Sequence, residues 1–274
     1  MKENMQKVKL AKNGISYLNL GCGLIYNKDW NNVDLIKNKD IIYYDISKGI
    51  PFGNNSLDVV YASHVLEHLS YESGKFLLNE INRVLKKNGV IRIAVPDLEI
   101  ICKEYINNLE NVLRENTEVN RQNYEWVFCE LIDQMVREKS GGKMLEKLTS
   151  KDFNKDYVKK RNGDEFLDIM ECEKKERTLL DKIKNKTVFE LIFYPINFIF
   201  RSKIQKSIFN AEKHRWMYDR YSLTKLLKEN GFSNVIVRKY NESNIPDWNF
   251  YNLDRSNKGE YPRKQDSLYM EGIK

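Results

Sequence analysis

The stretch Y-L-N-L-G-C-G, residues 17–23, decides the fold. Ile15, Tyr17, Leu18 and Leu20 make a short apolar run bounded by glycines, the pattern of a buried strand running into a tight turn. Gly21 and Gly23 have no side chain, so a ligand can approach the turn backbone closely. A glycine turn after a first strand marks a nucleotide-type cofactor site. Ordinary tight turns use the same residues, so the rest of the chain has to decide. A dinucleotide site wants a third glycine where Tyr26 stands, which disfavours nicotinamide and flavin cofactors.

Downstream, short strands are expected over 32–36 and 41–46, each with an aspartate near its end, Asp34 and Asp45. L-D-V-V-Y-A at 57–62 reads as a fourth strand and V-I-R-I-A-V at 90–95 as a fifth, ended by Pro96 and Asp97. Between them the spacing predicts a helix over 70–87, with Phe76, Leu77, Ile81, Val84 and Leu85 on its apolar face and Lys86, Lys87, Asn88 and Gly89 as its stop. Towards the end, Ser222 reads as the N-cap of L-T-K-L-L-K-E-N, with Gly231 at its stop, and strands are expected over 235–240 and 267–273. Strand, helix, strand, helix in this order indicates an α/β fold with a mostly parallel, Rossmann-like sheet. Residues 98–210 lack strand alternation and read as a long, mainly helical insertion, which divides the chain into a core of 1–97 and 211–274 and an insert of 98–210.

The chain has 274 residues and a net charge of +7, which would suit acidic ligands, nucleic acid or a membrane surface. Acidic and basic residues are interspersed over 139–186, so no single-sign stripe for a phosphate backbone is formed and nucleic acid is not the expected partner. Four cysteines without a C-x-x-C pair suggest neither a zinc cluster nor a disulfide framework. The first fourteen residues are polar and Lys-rich, with no apolar signal core, so the cytoplasm is the default location. V-F-E-L-I-F-Y-P-I-N-F-I-F at 188–200 is strongly apolar and is followed by Arg201, Lys203 and Lys206. It reads as a buried or substrate-covering helix, or else as weak membrane-surface contact through 188–206.

Taken together, N-L-G-C-G, D-I-S-K-G-I-P-F, S-L-D-V-V-Y-A-S-H-V-L-E-H-L and N-R-V-L-K-K-N-G-V-I-R-I-A-V-P-D-L-E resemble the class I S-adenosylmethionine-dependent methyltransferases. The ending H-R-W-M-Y-D-R-Y-S-L-T-K-L-L-K-E-N-G-F is similar to a subgroup often found among genes for surface polysaccharides. The resemblance implies S-adenosyl-L-methionine as cofactor and S-adenosyl-L-homocysteine as product. It implies that Asn19, Leu20, Gly21, Cys22 and Gly23 hold the methionine part and that Asp34 takes the ribose hydroxyls. Asp45 and Ile46 would lie at the adenine, and Ser63 and His64 would face the sulfonium and the acceptor. The implied acceptor is a sugar, glycan or other small molecule methylated on oxygen. His64, Asp97 and His214 are the candidate bases, and Arg215, Trp216 and Tyr218 the candidate acceptor pocket. Asp97 reads equally as a helix N-cap.

Two departures stand out. Asn19 occupies a position where many family members carry an acid, so it brings no charge to the cofactor's ammonium group. Eight residues, 24–31, link the first two strands and six, 35–40, the next two, whereas a parallel crossover normally takes about a dozen. The usual helices must there be reduced to turns, and the expected cover for the bare sheet face is the insert or a second copy of the chain in a homodimer.

Three rival readings are open. H-V-L-E-H at 64–68 matches a zinc peptidase pattern, with His64 and His68 as ligands on one helix and Glu67 as base, but the sequence offers no obvious third ligand and no metal is assigned. A cofactor-binding module without transfer activity would share the same turn. An RNA methyltransferase would suit the basic charge but lacks a recognisable RNA-binding module.

Overall fold

The computed structural model describes residues 5–138, 141–163, 213–256 and 261–274. The segments 188–200 and 188–206 lie outside the described residues. The chain divides into two compact units, one of residues 1–99, 214–262 and 266–274 and one of 100–213 and 263–265.

The first unit is built on a seven-stranded sheet in the order β3-β2-β1-β4-β5-β7-β6. Its strands are β1 (Tyr17–Leu20), β2 (Asn31–Asp34), β3 (Ile42–Tyr43), β4 (Leu57–Ser63), β5 (Leu85–Pro96), β6 (Ser233–Arg238) and β7 (Ser267–Ile273). β7 pairs antiparallel with both β5 and β6, and every other pairing is parallel. This is a Rossmann-like, mostly parallel sheet. From β1 the chain winds outward to β2 and β3, then returns to place β4 and β5 on the other side of β1. The order therefore reverses between β1 and β4, the place where open α/β sheets bind ligands.

Alternation along the strands assigns the two faces. Leu18, Leu20, Val60, Ala62, Ile91, Ile93 and Val95 point to one face, under α1 (Tyr71–Val84) and α6 (Arg220–Glu229), which contribute Leu77, Leu78, Ile81, Leu223, Leu226 and Leu227. Ser70 caps α1 by accepting the Ser73 N–H, and Asp219 caps α6 in a capping box with Ser222. Tyr17, Val59 and Tyr61 point to the opposite face, where they meet Trp30, Ile245, Trp248, Tyr251 and Leu253.

Several expectations are corrected here. The helix expected over 70–87 ends at Val84, and Leu85 to Gly89 open β5 instead, because Leu85 pairs with Leu57. Phe76 is 45% exposed, and Leu78 takes the buried place. Ser222 is the third helical residue of its helix, and Asp219 is the cap. The β1–β2 and β2–β3 links are turns, as expected. The face they leave bare is closed by the connection between β6 and β7, whose short helix α7 (Trp248–Tyr251) lays two aromatic rings on it.

The second unit is helical among its described residues. α2 (Leu98–Arg114) enters it, followed by α3 (Glu118–Phe128), which runs into a π-helical turn at Cys129–Asp133, then α4 (Gly142–Ser150) and α5 (Lys155–Asn162). Trp126, Cys129, Met144, Leu148 and Val158 form its core. Inside it Glu130 pairs with Arg161 at 2.8 Å and accepts the Trp126 indole N–H at 3.1 Å. Two buried charges held this way are costly to separate.

Candidate functional site

The carboxyl ends of β1, β2 and β4 carry most of the residues singled out in the sequence. Gly21 and Gly23 both adopt left-handed backbone, at φ of 61° and 54°. The turn is tied to β2: Gly21 N–H donates to the Val33 carbonyl at 2.8 Å, and Gly23 N–H donates to Asp34 Oδ2 at 2.8 Å. Asp34 thus already braces the turn while its second oxygen keeps acceptor capacity.

The two glycines are required for different reasons. A Cβ on Gly21 would come within 2.4 Å of Val65 Cγ2, so this glycine lets the first turn pack against the segment that follows β4. A Cβ on Gly23 would meet nothing within 4 Å. Gly23, and not Gly21, therefore borders the open space over the turn. Cys22 is buried between them, and burial, helped by the nearby Asp34 charge, pushes its thiol up to about 12. It is no nucleophile.

Asn19 is buried and its amide donates to the Ile25 carbonyl at 3.1 Å. It holds the loop that leaves the glycine turn. Asp45 caps a single 3₁₀ turn, Ile46–Lys48, by accepting the Ser47 N–H at 3.0 Å. Ile46 packs partly buried against the helix-covered core.

His64 follows β4 directly, at a φ of 55° that is unusual for a residue with a side chain. Its backbone N–H is held by the Ala94 carbonyl at 2.8 Å. Its ring is held at both nitrogens: Nδ1 lies 2.9 Å from Glu67 Oε1 and Nε2 lies 3.0 Å from Ser267 Oγ. With Nδ1 as the donor to the carboxylate, Nε2 is the acceptor nitrogen and accepts from the Ser267 hydroxyl. Ser63 is half-buried at the end of β4.

The peptidase pattern is not realised. H-V-L-E-H forms one 3₁₀ turn, Leu66–His68, and His64 lies outside it, so the two histidines do not share a helix face. His214 stands beside His68, ring centroids 5.1 Å apart. Donor atoms of Glu67, His68 and His214 all lie within 4.8 Å of one another.

Glu67 is fully buried, and burial alone would raise its carboxyl. When protonated, the surrounding imidazoles, His64 first, outweigh that and hold it below the usual carboxylate range. Its backbone carbonyl accepts the Arg215 and Trp216 N–H groups at 2.7 and 3.2 Å.

Asp97 accepts the Glu99 N–H at 2.9 Å, an N-cap arrangement at the start of α2. Of the three expected pocket residues, Arg215 and Trp216 are exposed, with the Trp216 ring 5.2 Å from that of Tyr71. Tyr218 is a correction: it is 1% exposed, its ring sits in the core, and its backbone bridges to Asp97, so it lines no open pocket.

Sequence reasoning missed Ser267 as the partner of His64, because 203 positions separate them. Glu67 was visible only as a rival's base, although a spacing of three from His64 is a contact distance wherever the chain turns helically.

A family model described as a methyltransferase domain matches residues 25–93. An uncharacterised protein of Methanocaldococcus jannaschii is 31% identical over 119 residues, 37% of this chain and 50% of the relative, so this chain spans about half the length of the curated relative it matches. Solved structures superpose loosely. A SAM-dependent methyltransferase from Archaeoglobus fulgidus gives a TM-score of 0.37 at 12% identity, over 95% of this chain and 86% of that one. The phosphoethanolamine N-methyltransferase 2 of Haemonchus contortus gives 0.38 at 11% identity, over 98% of this chain and 50% of that one.

Proposed function

We propose that this chain is a class I methyltransferase that uses S-adenosyl-L-methionine and methylates an oxygen of a sugar, glycan or other small molecule. The observation that carries the reading is the convergence of Gly23, Asp34 and His64 at the β1/β4 reversal of the sheet, within and just before the stretch that matches the methyltransferase domain.

The residues fit the cofactor. The space beyond Gly23 would take the methionine part, and Asp34 has acceptor capacity for ribose hydroxyls. Asp45 and Ile46 offer an acceptor and an apolar surface for a base. When bound, the cofactor supplies an electrophilic methyl group on a sulfonium. The chain's part is orientation and proton handling. His64 is the best-placed group, since Glu67 fixes its ring and leaves Nε2 as the accepting nitrogen. Asp97 is occupied as a cap, which leaves it a minor candidate.

Calorimetry with S-adenosylhomocysteine tests the cofactor assignment. Asp34→Ala should weaken binding at least tenfold, because it removes both the ribose acceptor and the brace on Gly23. Unchanged affinity in the folded variant would end the assignment. A panel of sugars and glycans, read by turnover to S-adenosylhomocysteine, then separates an enzyme from a module that only binds. His64→Ala should lower that turnover about a hundredfold with little change in cofactor affinity.

A further inference from the structure

We propose that Glu67, His68 and His214 form a binding site for a divalent transition-metal ion, of the zinc class. The proposal stands on geometry alone and does not depend on the methyltransferase reading.

The three residues offer two imidazoles and one carboxylate, with donor atoms within 4.8 Å of one another. A tetrahedral ion with ligand bonds of about 2.0–2.2 Å needs those atoms about 3.4 Å apart, so the widest pair must draw in by up to about 1.4 Å. The backbone has already done most of the assembly. His214 comes from 147 positions beyond Glu67, and the two residues after it donate their N–H groups to the Glu67 carbonyl. That clamp sets His214 over His68 whatever else the intervening chain does.

Glu67 itself is the second observation. Its side chain is wholly buried, its Oε1 is taken by His64, and its Oε2 is buried without a hydrogen bond. Its only ion-pair partners among the described residues are His64 and His68, which are charged only when protonated. A buried carboxylate normally requires a full positive charge or a metal beside it. An ion held between Glu67 and the two imidazoles supplies that charge. His64 then plays the part of the outer partner that fixes a ligating carboxylate, here by donating from Nδ1. Imidazole ligands favour zinc and its neighbours over magnesium or calcium, which prefer oxygen alone.

Three protein ligands leave at least one coordination position open, and the side chain of His68 is 26% exposed, which opens the site on its side. If methyl transfer is the reaction, that position suits a hydroxyl of the acceptor, whose acidity the ion would raise. This last clause rests on the proposed function; the binding site does not. The assignment also removes His214 from the list of bases.

The test is direct metal binding by the chelator-treated full chain. Titration calorimetry with Zn²⁺ should give one ion per chain, and Co²⁺ should develop the visible absorption of a nitrogen-ligated centre. His68→Ala should weaken Zn²⁺ binding by more than about a hundredfold, since losing a ligand costs more than losing its outer partner. His68 is partly exposed, so this variant keeps the test valid even where His214→Ala fails to fold. Zn²⁺ should also raise the melting temperature of the parent and not that of His68→Ala. No heat and no Co²⁺ spectrum, displacement by excess Mg²⁺, or equal affinity in parent and a folded His68→Ala would each overturn the site.

Discussion

On one face of the sheet, α1 and α6 lay down aliphatic side chains in helical register, and both helices start at defined caps. On the other, no long helix packs among the described residues, and a connection of irregular course closes the face with aromatic rings. Tyr17 stacks on Trp30 with centroids 4.6 Å apart, and Trp248 meets Tyr61 edge-on at 5.3 Å. Beneath the rings lies Arg92. All of its guanidinium nitrogens donate: Nε to Asp254, one terminal nitrogen to Glu271 and the Glu242 carbonyl, the other to the carbonyls of Lys239 and Tyr240. Tyr61 adds its hydroxyl to Asp254. Where the crossover helices are missing, one buried cation gathers the backbone that replaces them. A helix can close a face by repetition, whereas an irregular segment needs a polar hub for carbonyls that no regular ladder satisfies in full.

That contrast is most exposed to test at Arg92. Arg92→Leu leaves Asp254 buried without its cation, leaves Glu271 to Arg238 at 3.5 Å, and takes a donor from the carbonyls of Glu242, Lys239 and Tyr240, so a loss of about 3–5 kcal/mol is expected in denaturant unfolding. Arg92→Lys should recover only part of it, because one ammonium cannot reproduce the planar five-donor fork. A loss below 1 kcal/mol for Arg92→Leu would mean that the rings alone close this face.

On the helix-covered face the corresponding test is a pair of substitutions. Leu78 is fully buried, and Leu78→Ala should cost about 2–5 kcal/mol through lost burial and the cavity left behind. Phe76 is largely exposed on the same helix, and Phe76→Ala should stay within about 0.5 kcal/mol of the parent. Equal costs for the two would contradict the helix orientation.

The same contrast explains what could be read beforehand. The strands, the glycine turn and β7 were legible because short apolar runs and glycines act locally. Phe76 was misplaced because 76, 77 and 81 fit a helical stripe as well as 77, 78 and 81 do, and only packing decides between them. The cover of the aromatic face was illegible. Trp30, Trp248 and Tyr251 follow no period, and Arg92 reads as a single charge in an apolar strand. The site divides the same way. Gly21, Gly23, Asp34 and His64 follow from strand ends, but Ser267 and His214 arrive from distant parts of the chain, by sheet pairing and by the clamp on the Glu67 carbonyl. The segment 188–200, whose burial was expected, lies outside the described residues.

A small effect is expected at the cap of α6, and its interest lies in its pH dependence. Asp219 accepts the Tyr221 and Ser222 N–H groups at 2.9 and 2.7 Å. The backbone bond from Ser222 is the main reason its carboxyl is held below the usual range, against a smaller opposing effect of burial. A group depressed on folding stabilises above its unfolded value, about 3.9 for an aspartate, and loses that contribution as pH falls through the lower folded value. Asp219→Asn keeps a capping oxygen but cannot ionise. At pH 7 the parent should therefore be the more stable by a few tenths of a kcal/mol to about 1 kcal/mol, the share of charge in a cap. Below about pH 4 the difference should shrink towards zero. The aromatic face supplies the control, because the Arg92 guanidinium stays charged throughout this range: burial would lower it, but Asp254 and Glu271 more than compensate. Arg92→Lys should consequently show no convergence with the parent that is traceable to loss of its cation. A gap between Asp219→Asn and the parent that persists unchanged at pH 3 would show that the cap acts through geometry alone. The helix-covered face would then be as indifferent to acid as a core without titrating caps.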